Sequence, residues 1–232
     1  MVLKIESFNS EQQGASPIKG AIVQTYAPGG TFTAETFGND VEQAGAGTYS
    51  YRRKSKKSSS ETLFDAVTGE ITRTIYHFET PAAGTWDRTA DSGLTRLSGR
   101  FDLSPIDQSG VEIIAPENHH GITVALSILN TVSDLPPEAY PKQGVVLQSY
   151  KQDGTYTGLG FGPGTINHHG TYSYRRIAPN VAVEKTIQVT DFFTLPFTMV
   201  YTYETPRSGT WYQDFGNGLI LFSGSFTTFE TN

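Results

Sequence analysis

Apolar and polar residues alternate with a period of two along much of the chain, in short stretches separated by turn residues. In one stretch Leu97, Gly99, Phe101 and Leu103 share a face, and the residues between them are polar. This repeat is typical of an antiparallel β-strand with one covered face and one solvated face. No stretch of a dozen residues shows a convincing helical repeat. The pattern predicts an all-β protein.

The chain contains two copies of one unit. GTYSYRR occurs at 47–53 and again, unchanged, at 170–176, while YHFETPAAGTW at 76–86 matches YTYETPRSGTW at 201–211. Matched segments keep their order, with an offset of 123 residues for the first pair (170 − 47) and 125 for the second (201 − 76). Self-similarity that keeps its register in this way indicates a tandem duplication.

The duplication predicts repeat 1 at 1–104, a linker at 105–121 and repeat 2 at 122–232. The linker has no counterpart elsewhere and contains proline and glycine residues that are typical of turns. Each copy divides into eight short strands with short connections, which favours an up-and-down meander. Closing such a meander into a barrel removes its exposed edges. We expect two tandem eight-stranded antiparallel meander barrels, with β-sandwich repeats as the alternative.

This arrangement resembles the calycin or lipocalin-like group of small meander barrels, which often carry a hydrophobic ligand. The resemblance is one of architecture and covers both copies. Lipocalins place a Gly-x-Trp motif on the first strand, whereas here it opens the seventh predicted strand, at 84–86 and 209–211. The resemblance implies room for one small ligand inside a barrel of this size.

Composition narrows the classes of function. The net charge of −6 gives no general attraction to nucleic acid or anionic lipid, so we expect no nucleic-acid partner. The chain has no cysteine, which excludes disulfides, thiolate catalysis and cysteine-ligated metals. We expect no membrane span, because no apolar stretch approaches the required length. Residues 1–13 lack the pattern of a signal peptide, which favours a cytoplasmic location, although a mature secreted chain would look the same.

Repeated aromatic and charged residues fall at one end of each predicted barrel. In a meander, odd-numbered strands begin and even-numbered strands finish at the same end, which we call the lower end. A structural role fits these repeated residues, because ETPxxGTW is typical of a tight turn followed by a covering tryptophan. In repeat 2 they are also our candidate ligand-binding residues: Tyr150, Tyr172, Tyr174, Arg176, Tyr201, Tyr203 and Trp211.

Histidines distinguish the two copies. NHHG occurs at 118–121 and at 167–170, before the first and fourth strands of repeat 2. These strands start at opposite ends, and adjacent residues on a strand point to opposite faces, so one four-histidine zinc site is disfavoured. We expect no metal and no cofactor. A histidine beside a carboxylate can exchange protons near neutral pH, so His119, His120 and Glu204 are the candidate catalytic residues.

These features predict that repeat 2 binds a small hydrophobic or aromatic ligand. An isomerase or cyclase that uses the polar rim of repeat 2 is an extension of this hypothesis. The alternative is a non-catalytic carbohydrate-binding or structural interaction module, because exposed aromatic residues also suit glycan stacking. A hollow barrel would favour the ligand-binding hypothesis, and a barrel filled by tyrosine and phenylalanine would oppose it.

Overall fold

The protein forms two β-barrels in tandem. A computed structural model describes residues 1–11, 20–37, 43–90, 93–104, 112–216 and 218–230. The chain divides into two compact units, Met1–Pro105 and Ile106–Asn232. Within the described ranges, no helix has the length and apolar character needed to cross a membrane.

The first unit is a closed antiparallel barrel in which each strand pairs with its neighbours in sequence. Pairing of the last strand with the first closes the cylinder. The strands are β1 (Val2–Ser10), β2 (Gly20–Ala27), β3 (Thr31–Phe37), β4 (Gln43–Arg53), β5 (Ser58–Asp65), β6 (Ile71–Phe78), β7 (Ala83–Ala90) and β8 (Thr95–Asp102).

The second unit repeats this topology, and the pairing of β9 with β16 closes it. The predicted pair of eight-stranded meander barrels is therefore confirmed, and the β-sandwich alternative is wrong. The strands are β9 (Ile122–Ser133), β10 (Gly144–Tyr150), β11 (Thr155–Phe161), β12 (His168–Ala178), β13 (Val181–Val189), β14 (Thr194–Thr205), β15 (Ser208–Phe215) and β16 (Ile220–Glu230).

Alternation along each strand decides which side chains enter the barrel. On β13 the buried residues Glu184, Thr186 and Gln188 alternate with the exposed residues Lys185 and Ile187. The inner face of this strand is therefore polar, although it lies in the interior. Buried polar groups need hydrogen-bond partners, so a polar inner face marks a place where a network or a ligand satisfies them.

Glycines in the duplicated motifs are required by close approach of neighbouring strands. A Cβ atom at Gly47 would overlap the carbonyl oxygen of Phe64, and one at Gly170 would overlap that of Ile187. The motif glycines therefore have a structural reason to occur in both copies. The same holds for the repeated tryptophan: the indole N–H of Trp211 donates to the carbonyl of Ser225 at 3.0 Å.

The segment before β9 covers the lower end of the second barrel. We call its described residues, 112–121, the plug. The carbonyl of Pro179 accepts hydrogen bonds from the amides of Ile114 and Ala115, at 3.0 and 2.9 Å. The guanidinium of Arg176 donates to the carbonyl of Ala115 at 3.2 Å, and the Ala115 side chain is buried in the barrel core. The described part of the predicted linker, 112–121, is thus packed against repeat 2, and 105–111 lie outside the described residues.

Candidate ligand-binding site

The plug carries His119 into the lower end of the second barrel. His119 has no exposed surface. Its Nδ1 lies 3.3 Å from Oε2 of Glu184, and its Nε2 lies 2.9 Å from the hydroxyl of Tyr203. The imidazole is enclosed by the rings of Tyr150, Tyr174 and Tyr201, at centroid distances of 4.9, 4.1 and 5.1 Å. We call Glu184 and these four tyrosines the lower cage.

Glu184 is the centre of the lower cage. Its Oε1 lies 2.9 Å from the hydroxyl of Tyr150 and 3.1 Å from that of Thr186. Its Oε2 lies 3.3 Å from the hydroxyl of Tyr201 and 3.3 Å from Nδ1 of His119. A carboxylate offers about four acceptor positions, and these four groups surround one that has no exposed surface.

The cage tyrosines are neutral hydrogen-bond donors. Burial raises the pKa of Tyr150 and of Tyr201 well above the ordinary value, and the neighbouring charge of Glu184 adds to the shift. At the edge of the cage, burial raises the pKa of Tyr172 to about 12. Phenols with such raised pKa values stay neutral near neutral pH, so they orient His119 and Glu184 as un-ionised groups.

The structure separates the three residues predicted to be catalytic. His119 is inside the barrel, whereas His120 is exposed, with its ring 6.4 Å from that of Tyr172. Glu204 is also exposed, because it follows the inward-facing Tyr203 on β14. The predicted meeting of His119 with Glu204 is therefore corrected: the carboxylate that faces His119 is Glu184. The catalytic roles themselves stay predictions.

The residues predicted to bind ligand also divide into groups. Three of them, Tyr150, Tyr201 and Tyr203, are buried in the lower cage, and Tyr172 and Tyr174 are half-buried at its edge. Arg176 holds the plug. Trp211 is buried and borders a separate cavity at the other end of the barrel. In place of the expected open lower rim, the tyrosines form a closed network in which polar groups of the protein are paired with one another.

Glu184 was missed by the sequence analysis, although two signals pointed to it. Glu61 and Glu184 occupy equivalent positions in the two copies, 123 residues apart (184 − 61). Each also lies on a strand with a period of two, at a position that the alternation turns inward. The prediction used the end of β14 instead, where Glu204 is conspicuous beside the duplicated turn.

An open cavity of about 380 Å³ occupies the upper end of the second barrel. Its walls are mainly aliphatic and aromatic. The apolar residues that define them include Leu126, Ile128, Val146, Phe193, Phe215 and Phe222. Five polar side chains also border the cavity: Gln148, Thr165, His168, Gln188 and Gln213. The second barrel is thus filled at its lower end and hollow at its upper end.

The polar side of this cavity is connected to the lower cage. Nδ1 of His168 lies 3.1 Å from the carbonyl oxygen of Ile166, which can only accept, so Nδ1 carries a proton. Burial lowers the pKa of His168, which favours the neutral ring. Its Nε2 then accepts from the Gln148 amide at 3.3 Å. The oxygen of that amide lies 2.7 Å from the hydroxyl of Tyr150, whose single proton is shared between this oxygen and Oε1 of Glu184.

A size exchange between the two copies makes room for His168. His168 pairs with Gly158 across β11 and β12, and a Cβ atom on Gly158 would overlap its imidazole. In the first copy the equivalent pair is Ala34 and Gly45. In the second copy the glycine of this pair is therefore on β11 and the larger residue is on β12, which places an imidazole at the cavity wall.

Comparison with known proteins adds no assignment. No family model matches the sequence, and no curated protein matches it. Function is therefore inferred from the geometry of the two barrels.

Metal ligation has no arranged site in the described part of the chain. No group of three or more histidine, aspartate or glutamate side chains is placed there to hold an ion. His119 and His168 lie at opposite ends of the barrel, as the meander order predicts. The two NHHG segments therefore contribute to two different places: one to the lower cage and one to the upper cavity.

Proposed function

We propose that the second barrel binds a small, largely apolar molecule in its upper cavity. The observation that carries the proposal is the cavity itself, because about 380 Å³ lies within the range of roughly 300–1,000 Å³ that is typical of small-molecule sites. Apolar walls with a few polar groups are also typical of such sites. Internal binding by a closed meander agrees with the resemblance to calycins, and membership of that group is part of the proposal.

The polar groups define the kind of ligand. Of the described residues that border the cavity, none is charged. Three glutamine amides and the neutral imidazole of His168 offer both donors and acceptors to an uncharged polar group. The preferred ligand is therefore an apolar or aromatic molecule that carries a carbonyl or hydroxyl group, because a buried charge would have no partner of opposite sign in the wall.

Binding without turnover is the form of the proposal that the geometry supports best. Both ring nitrogens of His119 have protein partners, and a ligand in the upper cavity would meet Gln148 and His168 first. Catalysis by His119, His120 and Glu204, as an isomerase or cyclase, stays a prediction. A glycan-stacking module has less support, because Tyr150, Tyr201 and Trp211 are buried.

The two tryptophans allow a direct test. Trp211 borders the cavity and Trp86 lies in the first barrel, so the variant Trp86→Phe reports on the cavity alone. Titration with the neutral fluorescent probe N-phenyl-1-naphthylamine should quench Trp211 in a saturable way, with energy transfer to the probe. The matched variant Trp211→Phe retains Trp86 and should show no saturable quenching.

A cavity-filling substitution locates the binding site. In the Trp86→Phe background, Val146→Trp places an indole in the cavity and should weaken probe binding by about tenfold or more. Leu159→Trp is the control, since Leu159 is exposed on the outer face of β11 and should leave the affinity unchanged. Equal affinity of the two folded variants would reject the proposal.

A further inference from the structure

His119 behaves as a built-in ligand of the lower cage. Its ring is held on two sides by hydrogen bonds, through Glu184 and Tyr203, and on its faces by tyrosine rings. It comes from the plug rather than from a barrel strand. The strands of the second barrel therefore form a receptor for an imidazole, and the plug supplies that imidazole.

The first barrel has the same cage. Glu61 is buried at the position equivalent to Glu184, and its Oε2 accepts from the hydroxyl of Tyr76 at 2.7 Å. The hydroxyl of Tyr26 donates to the amide oxygen of Gln24 at 3.1 Å and lies close enough to Glu61 to lower its pKa. Tyr26, Tyr51 and Tyr76 are the equivalents of the three tyrosines whose rings enclose His119: Tyr150, Tyr174 and Tyr201.

Ring geometry confirms that the two cages have the same shape. Tyr26 and Tyr49 meet edge to face at 4.8 Å, as their equivalents Tyr150 and Tyr172 do at 4.7 Å. Tyr76 lies 5.2 Å from the ring of Phe101. The equivalent pair in the second barrel, Tyr201 and Phe226, has the same separation of 5.2 Å.

The first cage differs in having fewer donors. Thr186, which donates to Glu184, is replaced by Leu63, and Tyr203 is replaced by Phe78. No described residue of the first unit takes the position of His119. With Tyr76 donating to Oε2 and the hydroxyl of Tyr26 directed to Gln24, Glu61 keeps acceptor capacity.

Space for a ligand is present in the first cage. A cavity of about 180 Å³ is bordered by Glu61, Met1, Phe78 and four tyrosines of the first barrel: Tyr26, Tyr49, Tyr51 and Tyr76. It shares Tyr51, Phe78 and Leu103 with a wider groove of about 610 Å³ at the same end of the barrel, which provides an entry path. Tyr51 is 52% exposed, whereas its equivalent Tyr174 is packed against His119.

We propose that the lower end of the first barrel binds a small nitrogen heterocycle of the imidazole class. Its N–H donates to Glu61, and its ring lies among Tyr26, Tyr51 and Tyr76, as His119 lies in the second barrel. This site is separate from the upper cavity of the second barrel, so either proposal can fail without the other.

The electrostatics of the cage select for an N–H donor. Burial raises the pKa of Glu61, against the hydrogen bond from Tyr76, the interaction with Tyr26 and the charges of Arg88 and of the Met1 ammonium, so a further donor would stabilise the carboxylate. Arg88 is turned to other partners, the hydroxyl of Thr74 and the amide oxygen of Gln24. Anions are disfavoured beside a buried carboxylate, and the negative faces of the tyrosine rings favour a ring with positive edges.

Imidazole itself is the probe for the test. We expect NMR titration of the full chain to show one imidazole site, with the shifts centred on Glu61 and its tyrosines. Glu61→Gln keeps the shape but removes the carboxylate, and should weaken binding by at least about tenfold. Glu184→Gln is the matched control and should leave the affinity unchanged, because His119 already fills that cage. Thiazole, a ring of similar size without an N–H, should bind more weakly than imidazole.

Two further variants test whether imidazole binding can be strengthened in the first cage or created in the second. Phe78→Tyr restores the second hydrogen-bonding group and should tighten imidazole binding. His119→Gly empties the lower cage of the second barrel and should create a second imidazole site. Absence of an imidazole site in the wild-type chain, or equal loss of binding in Glu61→Gln and Glu184→Gln, would overturn the proposal. Neither result would affect probe binding in the upper cavity.

Discussion

At the scale of single residues, strand parity determines which repeated side chains enter the sites. His119 is buried and His120 is exposed, and the same is true of Tyr203 and Glu204. In each pair one residue joins the lower cage while its neighbour faces solvent. Adjacent residues therefore have different roles, and the two histidines are useful as matched substitutions.

His119 should contribute strongly to the stability of the second unit. His119→Ala removes two hydrogen-bonding contacts inside the cage and leaves a cavity, so we expect a loss of about 2–4 kcal/mol in the free energy of unfolding. His120→Ala removes an exposed side chain and should stay within about 0.5 kcal/mol of wild type. Urea denaturation followed by Trp211 fluorescence, in the Trp86→Phe background, measures both. Similar effects of the two changes would contradict the described position of His119.

Glu61 should make the stability of the first unit depend on pH. Burial is the main cause that raises its pKa above the ordinary value of 4.5, so the folded state holds a proton that the unfolded state has lost. Between the unfolded and folded pKa values, this contribution to stability is present at the lower pH and falls as the pH rises. The variant Glu61→Gln has no carboxyl group at this position, so its stability should not show this fall as the pH rises.

The measurement compares the two proteins in the Trp211→Phe background, where Trp86 reports on the first unit. We expect Glu61→Gln to gain stability relative to wild type as the pH is raised from about 4.5. A stability difference that is constant across this range would show that Glu61 has the same pKa in both states.

Parity could have placed most of the site residues from the sequence. The alternation on β14 already put Tyr201 and Tyr203 on one face, which excludes Glu204 from it, and the duplication marked Glu61 and Glu184 as equivalent. Parity could not show that the carboxylate of Glu184 lies within hydrogen-bonding distance of four groups. That depends on distances across the barrel, between strands that are far apart in the sequence.

At the scale of elements, the plug is the feature that the sequence did not predict. Its residues have no counterpart in the first copy and no strand period, so proline and glycine led to the prediction of a linker. What holds it is tertiary: the carbonyl of Pro179, the guanidinium of Arg176 and the pocket for His119. Such contacts join residues that are far apart in the sequence, so the local pattern does not reveal them.

Arg176 should therefore control the opening of the plug. Removing its hydrogen bond to the Ala115 carbonyl in Arg176→Ala should speed hydrogen exchange of the plug amides by about tenfold, which mass spectrometry of the 112–121 peptide would detect. Arg53 is the equivalent residue of the first copy and is exposed. Arg53→Ala is the control and should leave exchange in 112–121 unchanged. Equal exchange in both variants would mean that Arg176 does not hold the plug.

Gly158 should determine the position of His168. In Gly158→Ala the new methyl group takes the place of the imidazole, so we expect His168 to leave Gln148 and move toward solvent. Burial lowers the pKa of His168 in the wild type, so the pKa should rise toward its ordinary value of 6.5. NMR titration of the His168 ring protons measures this change. The reverse change in the first copy, Ala34→Gly, should leave the pKa of His168 unchanged. An unchanged pKa in Gly158→Ala would mean that Gly158 does not determine the position of His168.

At the scale of the whole molecule, duplication has preserved the barrel while the interiors have diverged. The fold was predictable because it rests on repeated features: strand alternation, turn glycines and the order of the motifs. The described cavities lie at the lower end of the first barrel and at the upper end of the second. These differences come from residues that are not repeated, such as His119, His168 and the plug. Repetition therefore indicates the fold, and departures from repetition indicate the candidate sites.

The second unit should carry its own site when it is produced alone. The eight strands, the plug and the cavity walls of the second barrel all lie within 106–232, so this fragment should fold and bind N-phenyl-1-naphthylamine within about twofold of the full chain. The shorter fragment 122–232 retains every strand but lacks His119. It leaves Glu184 short of a donor in a buried cage, so its urea midpoint should fall well below that of 106–232. Equal midpoints would mean that the plug only covers the barrel, because a cage that needs an imidazole cannot lose it without a loss of stability.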